Sequence, residues 1–289
     1  MQVLLGSDSF NMGNAKGTTK SGGRKDALDK FYTKPEIASL YIAKAAIDNY
    51  TTVIEPSAGN GSFSSQIPNC IALDLKPEGT GIQQQDWLQY KHSAELREGK
   101  ILVIGNPPFG QQNSLAVKFI NHAAQFADRV AFILPISFKK ESVQDRIHEN
   151  MHLIFEETLP KDSFLLNGES YDVKCVFQVW DRKDEKRATR PKTDLNTNNL
   201  FQFVRKTESP DAVIYRVGGR AGFVSLDWTS KTEMNHYFIR LNKEEDRNNL
   251  ALLVDELNKI SYPSRDNAVG PRSVSKGEVN TEVNKLFAL

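Results

Sequence analysis

The sequence predicts an α/β fold, in which a mostly parallel sheet covered by helices is followed by a smaller β-rich module. From residue 51 onward, short runs of β-branched residues alternate with helical stretches, and several of these runs are apolar on both faces. Such strands are typical of a parallel sheet that is buried on both sides. The runs at 152–160 and 173–180 have no helix between them. We therefore expect an antiparallel hairpin at one edge of the sheet.

The composition excludes several classes of protein. The 289 residues include 37 Lys and Arg against 36 Asp and Glu, two cysteines, and five histidines without metal-ligand spacing. We therefore expect neither a disulfide framework nor a metal site. No apolar run approaches the roughly 20 residues of a membrane span, and the N-terminus lacks the pattern of a secretory signal. These features predict a cytoplasmic protein with no membrane partner.

The pattern divides the chain into four segments. Residues 1–29 are rich in Gly, Ser, Asn, Thr and Lys without periodicity, which predicts a flexible N-terminal arm. Residues 30–181 hold the alternating strands and helices, and the charged stretch 182–199 predicts a linker. Residues 200–289 contain four further strand-like runs and an apolar-faced helix around 243–260. This last segment predicts a second, β-rich module.

The first predicted element is a helix that begins near Thr33. Thr33 suits the N-cap, Pro35 the first turn and Glu36 the third position after the cap. Apolar residues then recur at helical spacing. Further helices are predicted near 112–127 and 139–150, between the strand-like runs.

The segment VIEPSAGNGSF, residues 53–63, joins a strand to a glycine-containing turn. The strand ends in Glu55, and Gly59 and Gly61 lie in the turn. At the carboxyl end of a strand, glycines let the backbone approach a bound ligand closely. Alone, this pattern fits a nucleotide, a dinucleotide or a turn without a ligand. Asp74 ends the next predicted strand, where it suits either a ribose hydroxyl or solvent.

The segment ILVIGNPPFG is the most specific chemical signal in the chain. It places Asn106 at the end of a buried strand, followed by two prolines and Phe109. Both prolines fix φ and lack an N–H, and a proline also holds the residue before it extended. Ordinary turns use Gly, Asn-Gly or Asp-Gly instead. A rigid, presented asparagine beside an aromatic ring therefore predicts a functional site.

These segments, in their order, resemble the adenosylmethionine-dependent amino methyltransferases, above all N6-adenine DNA methyltransferases with the gamma order of motifs. The resemblance covers about residues 30–180, through KFYTKPEIASLYI (30–42), EPSAGNGSF (55–63), Asp74, QDWL (85–88), NPPF (106–109), ILPISF (133–138) and KDSFLLNG (161–168). It implies a Rossmann-like methyltransferase fold. It also implies methyl transfer from S-adenosyl-L-methionine to N6 of a flipped-out adenine in DNA. The resemblance further implies a protein of the cytoplasm of a bacterial or phage-infected cell, with a role in restriction-modification or in a phage.

The resemblance also implies roles for individual residues. The implied catalytic residues are Asn106, Pro107, Pro108 and Phe109, with the Asn106 side-chain oxygen and the Pro107 carbonyl accepting from the adenine amino group and Phe109 stacking on the base. The implied cofactor contacts are Tyr32, Thr33, Glu55, Pro56, Ser57, Ala58, Gly59, Gly61, Phe63, Asp74, Asp86, Trp87 and Asn106. The implied substrate contacts are Phe109, Phe164, Arg265, Arg272 and Lys276. Of these, Phe63, Trp87 and Phe164 also fit ordinary core positions.

Other activities share the same catalytic turn. An RNA adenosine methyltransferase would differ only in its recognition elements. Protein glutamine methyltransferases typically carry Tyr where this chain has Phe109, with a more glycine-rich cofactor loop. An inactive regulatory homologue would be expected to lose Asn106 or the glycines.

The segment from residue 200 interleaves basic and aromatic residues, which predicts target recognition with duplex DNA ahead of RNA. Within it, residues 261–278 suit a groove-contacting loop or a solvated connection.

Overall fold

The structure is a computed structural model that describes residues 31–93, 99–188, 197–268 and 270–287. The predicted arm 1–29 lies outside the described residues, as do residues 189–196 of the predicted linker. In chain order the strands are β1 (Tyr32–Thr33), β2 (Thr52–Glu55), β3 (Ile71–Asp74), β4 (Gln83–Gln84), β5 (Ile101–Gly105), β6 (Arg129–Pro135), β7 (Met151–Thr158), β8 (Phe164–Leu166), β9 (Glu169–Tyr171), β10 (Cys175–Arg182), β11 (Phe201–Val204), β12 (Ala212–Tyr215), β13 (Val224–Ser225) and β14 (His236–Leu241). The helices are α1 (Pro35–Ala45), α2 (Ser114–Ala123), α3 (Glu141–Gln144), α4 (Glu244–Arg247), α5 (Leu250–Leu257) and α6 (Lys276–Leu286).

A seven-stranded sheet in the order β4-β3-β2-β5-β6-β10-β7 carries the predicted α/β fold. The five strands from β4 to β6 are parallel. Strand β10 pairs antiparallel with both β6 and β7, which confirms the predicted antiparallel edge. Strand order runs one way from β2 to β4 and the other way from β5 to β6. The carboxyl ends of β2 and β5 therefore flank the point where a Rossmann-like sheet binds its ligands.

Helices and loops bury both faces of this sheet. Leu102 and Val103 are adjacent in β5 and completely buried, yet they belong to different cores. Val103 packs in the cluster that contains Ile120 of α2, and Leu102 in the cluster that contains Tyr41 of α1. This alternation follows from the two-residue period of a strand. The predicted helix at 139–150 is only the four residues of α3.

A three-stranded sheet in the order β1-β8-β9 corrects two predictions. Thr33 does not cap a helix, because it lies in β1 opposite Phe164 of β8. Lys34 takes the N-cap position of α1 and makes no side-chain capping bond. The segment 161–168 is not a plain loop either, because β8 and β9 form a hairpin. Its turn, Asn167-Gly168, has positive φ at both residues, 53° and 84°, as a tight hairpin turn requires.

The C-terminal residues form a four-stranded antiparallel sheet in the order β11-β14-β12-β13. Helices α5 and α6 cover it through the buried residues Val254, Leu257, Val279 and Val283. The predicted helix around 243–260 is split into α4 and α5, because Asn249 between them has non-helical φ and ψ.

This sheet is separate from the larger one, but the chain from Phe31 onward forms one compact unit. Lys140 joins the two parts, with its ammonium 3.4 Å from a Glu278 carboxylate oxygen and 3.5 Å from the Ser273 carbonyl. The boundary at 182–199 stays a prediction. Within the described residues, no helix combines the length and the apolar character needed to cross a membrane.

Candidate active site

The turn after β2 brings its backbone close to two neighbouring segments. Gly59 has a φ of +53° and Gly61 a φ of +86°, which favours glycine over other residues. A Cβ on Gly59 would lie 3.3 Å from the Tyr32 ring, so this position is also crowded. The Ala58 N–H donates to the Leu73 carbonyl at 2.9 Å. The turn is therefore held against the end of β3.

Glu55 is a buried carboxyl beneath this turn. It is 2% exposed and accepts a 2.8 Å hydrogen bond from the Ser64 N–H. Burial raises the pKa of Glu55 to about 8, although the hydrogen bonds from Ser64 act in the opposite direction. Glu55 thus supports the turn from below, and its proton is retained to a higher pH than in an exposed glutamate.

Asp74 organises the neighbouring strand end. One carboxylate oxygen accepts from the Gly59 N–H at 2.8 Å and the other from the Lys76 N–H at 2.7 Å. Each oxygen keeps further acceptor capacity. Asp74 is half-buried, so the predicted ribose contact and the fixing of Gly59 are compatible with each other.

Asn106 follows the fully buried strand β5, and only the nitrogen of its side-chain amide is held by a hydrogen bond within the described residues. The amide nitrogen donates to the Phe31 carbonyl at 3.2 Å. The amide oxygen is buried and accepts no hydrogen bond from any residue that the structure describes. A buried polar oxygen without a partner costs on the order of 1–3 kcal/mol. The arrangement leaves one acceptor for which the described part of the chain supplies no donor.

Ser57 connects the turn after β2 to Asn106. Its hydroxyl donates to the Asn106 backbone carbonyl at 3.0 Å, which joins the loop after β2 to the loop after β5. Sequence reasoning placed both residues in one site, and the structure brings them together. It missed Phe31, because a backbone carbonyl that orients an amide leaves no signal in the sequence.

Tyr32 and Thr33 lie beside the same turn, as predicted for cofactor contacts. The Tyr32 hydroxyl donates to Glu78, whose N–H donates to the Gly59 carbonyl at 3.0 Å. The Thr33 hydroxyl is buried without a partner in the described part of the chain. Among the described residues, the buried oxygens of Thr33 and Asn106 therefore both lack hydrogen-bond partners.

Three predicted contact residues lie in the core instead. Trp87 is 1% exposed and donates its indole N–H to the Phe119 carbonyl at 3.2 Å. Phe63 and Phe164 are 1% and 0% exposed within the core cluster beside α1. Their rings pack against other apolar side chains, so we do not assign them to ligand contact. Alternation and periodicity do not distinguish a core aromatic from one that stacks on a ligand.

The remaining predicted residues of this region occupy mixed positions. Asp86 caps the short 3₁₀ helix Trp87–Gln89 by accepting from the Leu88 N–H at 2.9 Å. Pro56 and Pro107 are buried, and Pro108 is half-buried. Phe109 is half-buried and packs against the core cluster beside α1. Part of its ring therefore stays accessible.

The three predicted basic contacts of the C-terminal part already have partners within the protein. Arg272 pairs with Asp266 at 2.5 Å. Arg265 lies 3.8 Å from the other oxygen of the same carboxylate. The Lys276 ammonium lies 4.8 Å from the centre of the Phe203 ring. No group of three His, Cys, Asp or Glu side chains suited to a metal occurs in the part of the chain that the structure describes.

Comparison with known proteins points to one domain type. Residues 71–195 match the model of the EDM2 methyltransferase-like domain. The Arabidopsis thaliana protein ENHANCED DOWNY MILDEW 2 is 26% identical over 182 residues, 55% of this chain. The chain spans only 13% of the length of that protein.

Solved structures of methyltransferases resemble this chain more weakly. A Pyrococcus horikoshii protein described as a provisional RNA methyltransferase is 16% identical, with 51% of this chain and 81% of that one aligned at a TM-score of 0.39. The 23S rRNA methyltransferase ErmE is 12% identical (55% and 72% aligned, TM-score 0.38). Magnesium protoporphyrin IX methyltransferase from Synechocystis PCC 6803, with bound SAM, is also 12% identical (51% and 77% aligned, TM-score 0.35). All three TM-scores lie below 0.5. We therefore assign the Rossmann-like fold from the strand order of the seven-stranded sheet and not from these structures. Residues 71–195 are thus similar to a methyltransferase-like domain over somewhat less than half of the chain.

Proposed function

We propose that this protein transfers a methyl group from S-adenosyl-L-methionine to the exocyclic N6 of adenine in DNA. The observation that carries the proposal is the Asn106 amide, whose nitrogen is satisfied by the Phe31 carbonyl while its buried oxygen has no partner among the described residues. An amino group of a nucleobase is the complementary donor. The methyltransferase-like domain match to residues 71–195 supports the same chemistry.

The residues around Gly59 fit the cofactor. A positive φ and a Tyr32 ring atom 3.3 Å from where a Cβ would lie disfavour a side chain at Gly59, which suits a backbone surface for a flat or extended ligand. Asp74 offers acceptor capacity for ribose hydroxyls, and the unpartnered Thr33 hydroxyl offers a polar contact. When bound, the cofactor supplies an electrophilic methyl group on a positively charged sulfur.

The task of the protein is to orient the amino nitrogen, which is a poor nucleophile because its lone pair is delocalised into the adenine ring. Asn106 Oδ1 accepts one N–H of that amino group. The Pro107 carbonyl, which accepts no hydrogen bond from the described residues, takes the other. Two directed acceptors draw the nitrogen toward tetrahedral geometry and aim its lone pair at the methyl group. Fixed acceptors of this kind act through positioning and preorganised electrostatics.

The target base must leave the helical stack before it reaches Asn106. Flipping costs a few kcal/mol in a duplex. Phe109 lies three residues after Asn106, and the accessible part of its ring offers a face for the flipped adenine. Because Phe164 is buried, Phe109 alone of the two predicted aromatics takes this role.

The test is transfer of a radiolabelled methyl group to DNA, RNA and protein, followed by analysis of the modified nucleosides and amino acids. We expect N6-methyladenine in DNA. Label found only in RNA adenosine, or only in protein glutamine, would overturn the DNA assignment but leave the catalytic turn in place.

Asn106→Ala should lower transfer by at least about 100-fold with cofactor affinity nearly unchanged. Asn49→Ala is the matched control. Asn49 is exposed and precedes the amino end of β2, whereas Asn106 follows the carboxyl end of the parallel strand β5.

A further inference from the structure

A cavity of about 230 Å³ opens in the C-terminal part of the chain, apart from the candidate active site. Arg220 and Arg265 line it, together with Phe223, Tyr262 and the segment 219–222. No Asp or Glu of the described residues is among its lining. Two cations without a carboxylate make this cavity suitable for an anion.

The charge of Arg220 is not neutralised by an acidic neighbour. Its guanidinium lies 4.4 Å from the centre of the Phe223 ring and 5.2 Å from that of Tyr215, and it forms no ion pair within the described residues. Arg265 is 3.8 Å from Asp266, whose other oxygen is taken by Arg272 at 2.5 Å. Arg265 is therefore only weakly paired, and both arginines keep donors for a ligand.

The cavity wall is held in place by tight packing. Gly222 has a φ of +92°, and a Cβ there would lie 2.5 Å from the Tyr262 ring. The Asn258 side chain accepts from the Val224 N–H at 2.8 Å and donates to the Val224 carbonyl at 3.1 Å. A wall fixed in this way presents its arginines without a large ordering cost on binding.

A series of contacts links this region to the catalytic loop. The Arg216 carbonyl accepts from the Val274 N–H at 3.0 Å, and the adjacent Ser273 carbonyl accepts from Lys140 at 3.5 Å. Lys140 directly follows the 3₁₀ helix Ile136–Lys139, which continues from the carboxyl end of β6.

Within that 3₁₀ helix, the Ser137 hydroxyl accepts from the Asn113 amide at 2.8 Å. Asn113 lies four residues after Phe109. The segment that contains Arg220 is therefore joined to the same edge of the sheet that carries Asn106.

We infer that Arg220 and Arg265 together bind a backbone phosphate of the nucleic-acid strand beside the target base. The inference rests on the proposed function and names the surface that holds its substrate. Guanidinium groups recognise phosphate oxygens through paired, charge-assisted hydrogen bonds. Phe223, with 37% of its surface exposed, offers a ring on which a neighbouring unpaired base stacks. This replaces Arg272 and Lys276, which have partners within the protein, as the main strand contacts.

The test compares two double variants of equal charge in a binding titration with fluorescein-labelled duplex DNA. Arg220→Gln with Arg265→Gln should weaken binding at least roughly fivefold near 0.1 M salt. It should also reduce the slope of log K against log salt by about one to two. Lys243→Gln with Lys285→Gln is the control. Lys243 lies two residues after the end of β14, whereas His236, which pairs with Tyr215, begins that strand. Lys285 is next to Asn284, whose side chain donates to the Thr197 carbonyl. The control should bind within about twofold of the unchanged protein.

Equal affinity of the two double variants would overturn the inference, as would absence of DNA and RNA binding by the unchanged chain. If the unchanged protein methylates DNA and the arginine variant still binds normally, this surface is wrong while the function stands. If binding depends on the arginines but no nucleic acid is methylated, the surface stands and the function fails. RNA of the same sequence, run in parallel, separates the two kinds of strand.

A second measurement uses the unchanged protein and so does not depend on a variant folding. Phenylglyoxal modifies accessible arginines, and the modified peptides are quantified by mass spectrometry. Bound DNA should protect Arg220 and Arg265 while exposed Arg205 stays reactive. Equal modification of Arg220 and Arg265 with and without DNA would contradict the inference.

Discussion

At the scale of single residues, the candidate site combines groups whose ordinary preferences are not met. Asn106 and Thr33 each hold a buried oxygen that has no partner within the described segments, and Glu55 is a buried carboxyl. Such groups lower stability in the isolated protein, and they concentrate where ligands bind. Glu55 is the last residue of β2, Asn106 directly follows β5, and Thr33 lies in β1.

The Glu55 carboxyl makes stability depend on pH in a direction that can be worked out. Its pKa is raised from 4.5 to about 8 in the folded chain, so the folded state binds more protons than the unfolded state between these values. The contribution of Glu55 to the free energy of unfolding is therefore fully present below pH 4.5 and is lost as the pH rises through 8.

Glu55→Gln should remove this loss. Relative to the unchanged protein, its free energy of unfolding should rise by on the order of 3 kcal/mol between pH 5 and pH 8.5. Urea titrations at both pH values, without cofactor, measure the difference, with exposed Glu245→Gln as the control. A difference that does not change with pH would contradict the assignment of a raised pKa.

Gly222 allows a second prediction at this scale, because strain and steric clash can be separated. Gly168 and Gly222 both have positive φ, but a Cβ on Gly168 meets no atom within 4 Å whereas one on Gly222 would overlap the Tyr262 ring. Gly168→Ala should cost about 1 kcal/mol, from backbone strain alone. Gly222→Ala should cost about 2 kcal/mol more, through overpacking. Equal losses in urea unfolding would show that the Tyr262 ring moves freely.

At the scale of elements, the strongly patterned segments were predictable and the short ones were not. The run ILVIG is apolar throughout and became the buried strand β5. Pro35 and Glu36 indicated α1 correctly, but tertiary pairing with Phe164 drew Thr33 into a strand. The turn Asn167-Gly168 is a hairpin signal that was read as part of a loop. Local pattern thus fixes elements with a large buried face, while two- or three-residue strands depend on partners distant in sequence.

The same distinction applies to the candidate site. Glu55, Gly59, Asp74 and Asn106 were predictable because their place at strand ends follows from the alternation of strands and glycines. The aromatic residues Trp87 and Phe164 were not, since burial against helices and a hairpin is a property of the assembled core. Phe223 and Arg220 lacked any motif and become visible only as neighbours of one cavity.

The loop after Phe109 yields a prediction about positioning in the proposed site. Gly110, Gln112 and Asn113 all have positive φ, which is unfavourable for the latter two. The Asn113 amide donates to Ser137, and Arg146 donates to the Gln112 carbonyl at 2.8 Å. These two bonds hold a strained segment next to Asn106.

Ser137→Ala should therefore lower the rate constant for methyl transfer roughly three- to tenfold, the range expected for one lost hydrogen bond. Cofactor affinity should stay the same, because the Ser137 hydroxyl bonds to Asn113 in the loop after Phe109 and not to the turn that contains Gly59. Single-turnover transfer and equilibrium cofactor binding are the two measurements, and exposed Ser261→Ala serves as control. A loss of cofactor affinity equal to the loss of rate would place Ser137 in the wrong part of the site.

At the scale of the whole molecule, the two main sheets act as one body. Lys140 is partly buried between them, with 15% of its side chain exposed, and contacts both Glu278 and Ser273. Glu278 also completes the capping box of α6 with Ser275. One lysine thus links the carboxyl edge of the larger sheet to the first turn of the helix that covers the smaller one.

This connection predicts how the cofactor stabilises the chain. A ligand that binds only the folded state at 100 times its dissociation constant adds about 2.7 kcal/mol. For a chain of this size that raises the melting temperature by roughly 5–10 °C. Because the chain from Phe31 onward is one compact unit, calorimetry should show a single transition that moves as a whole. ATP at the same concentration shares the adenosine group but lacks the methionine moiety, and it should give a much smaller shift. If a second transition appeared and stayed in place when S-adenosyl-L-methionine was added, the sheet from β11 to β14 would unfold independently, and the contacts of Lys140 would not couple it to the site.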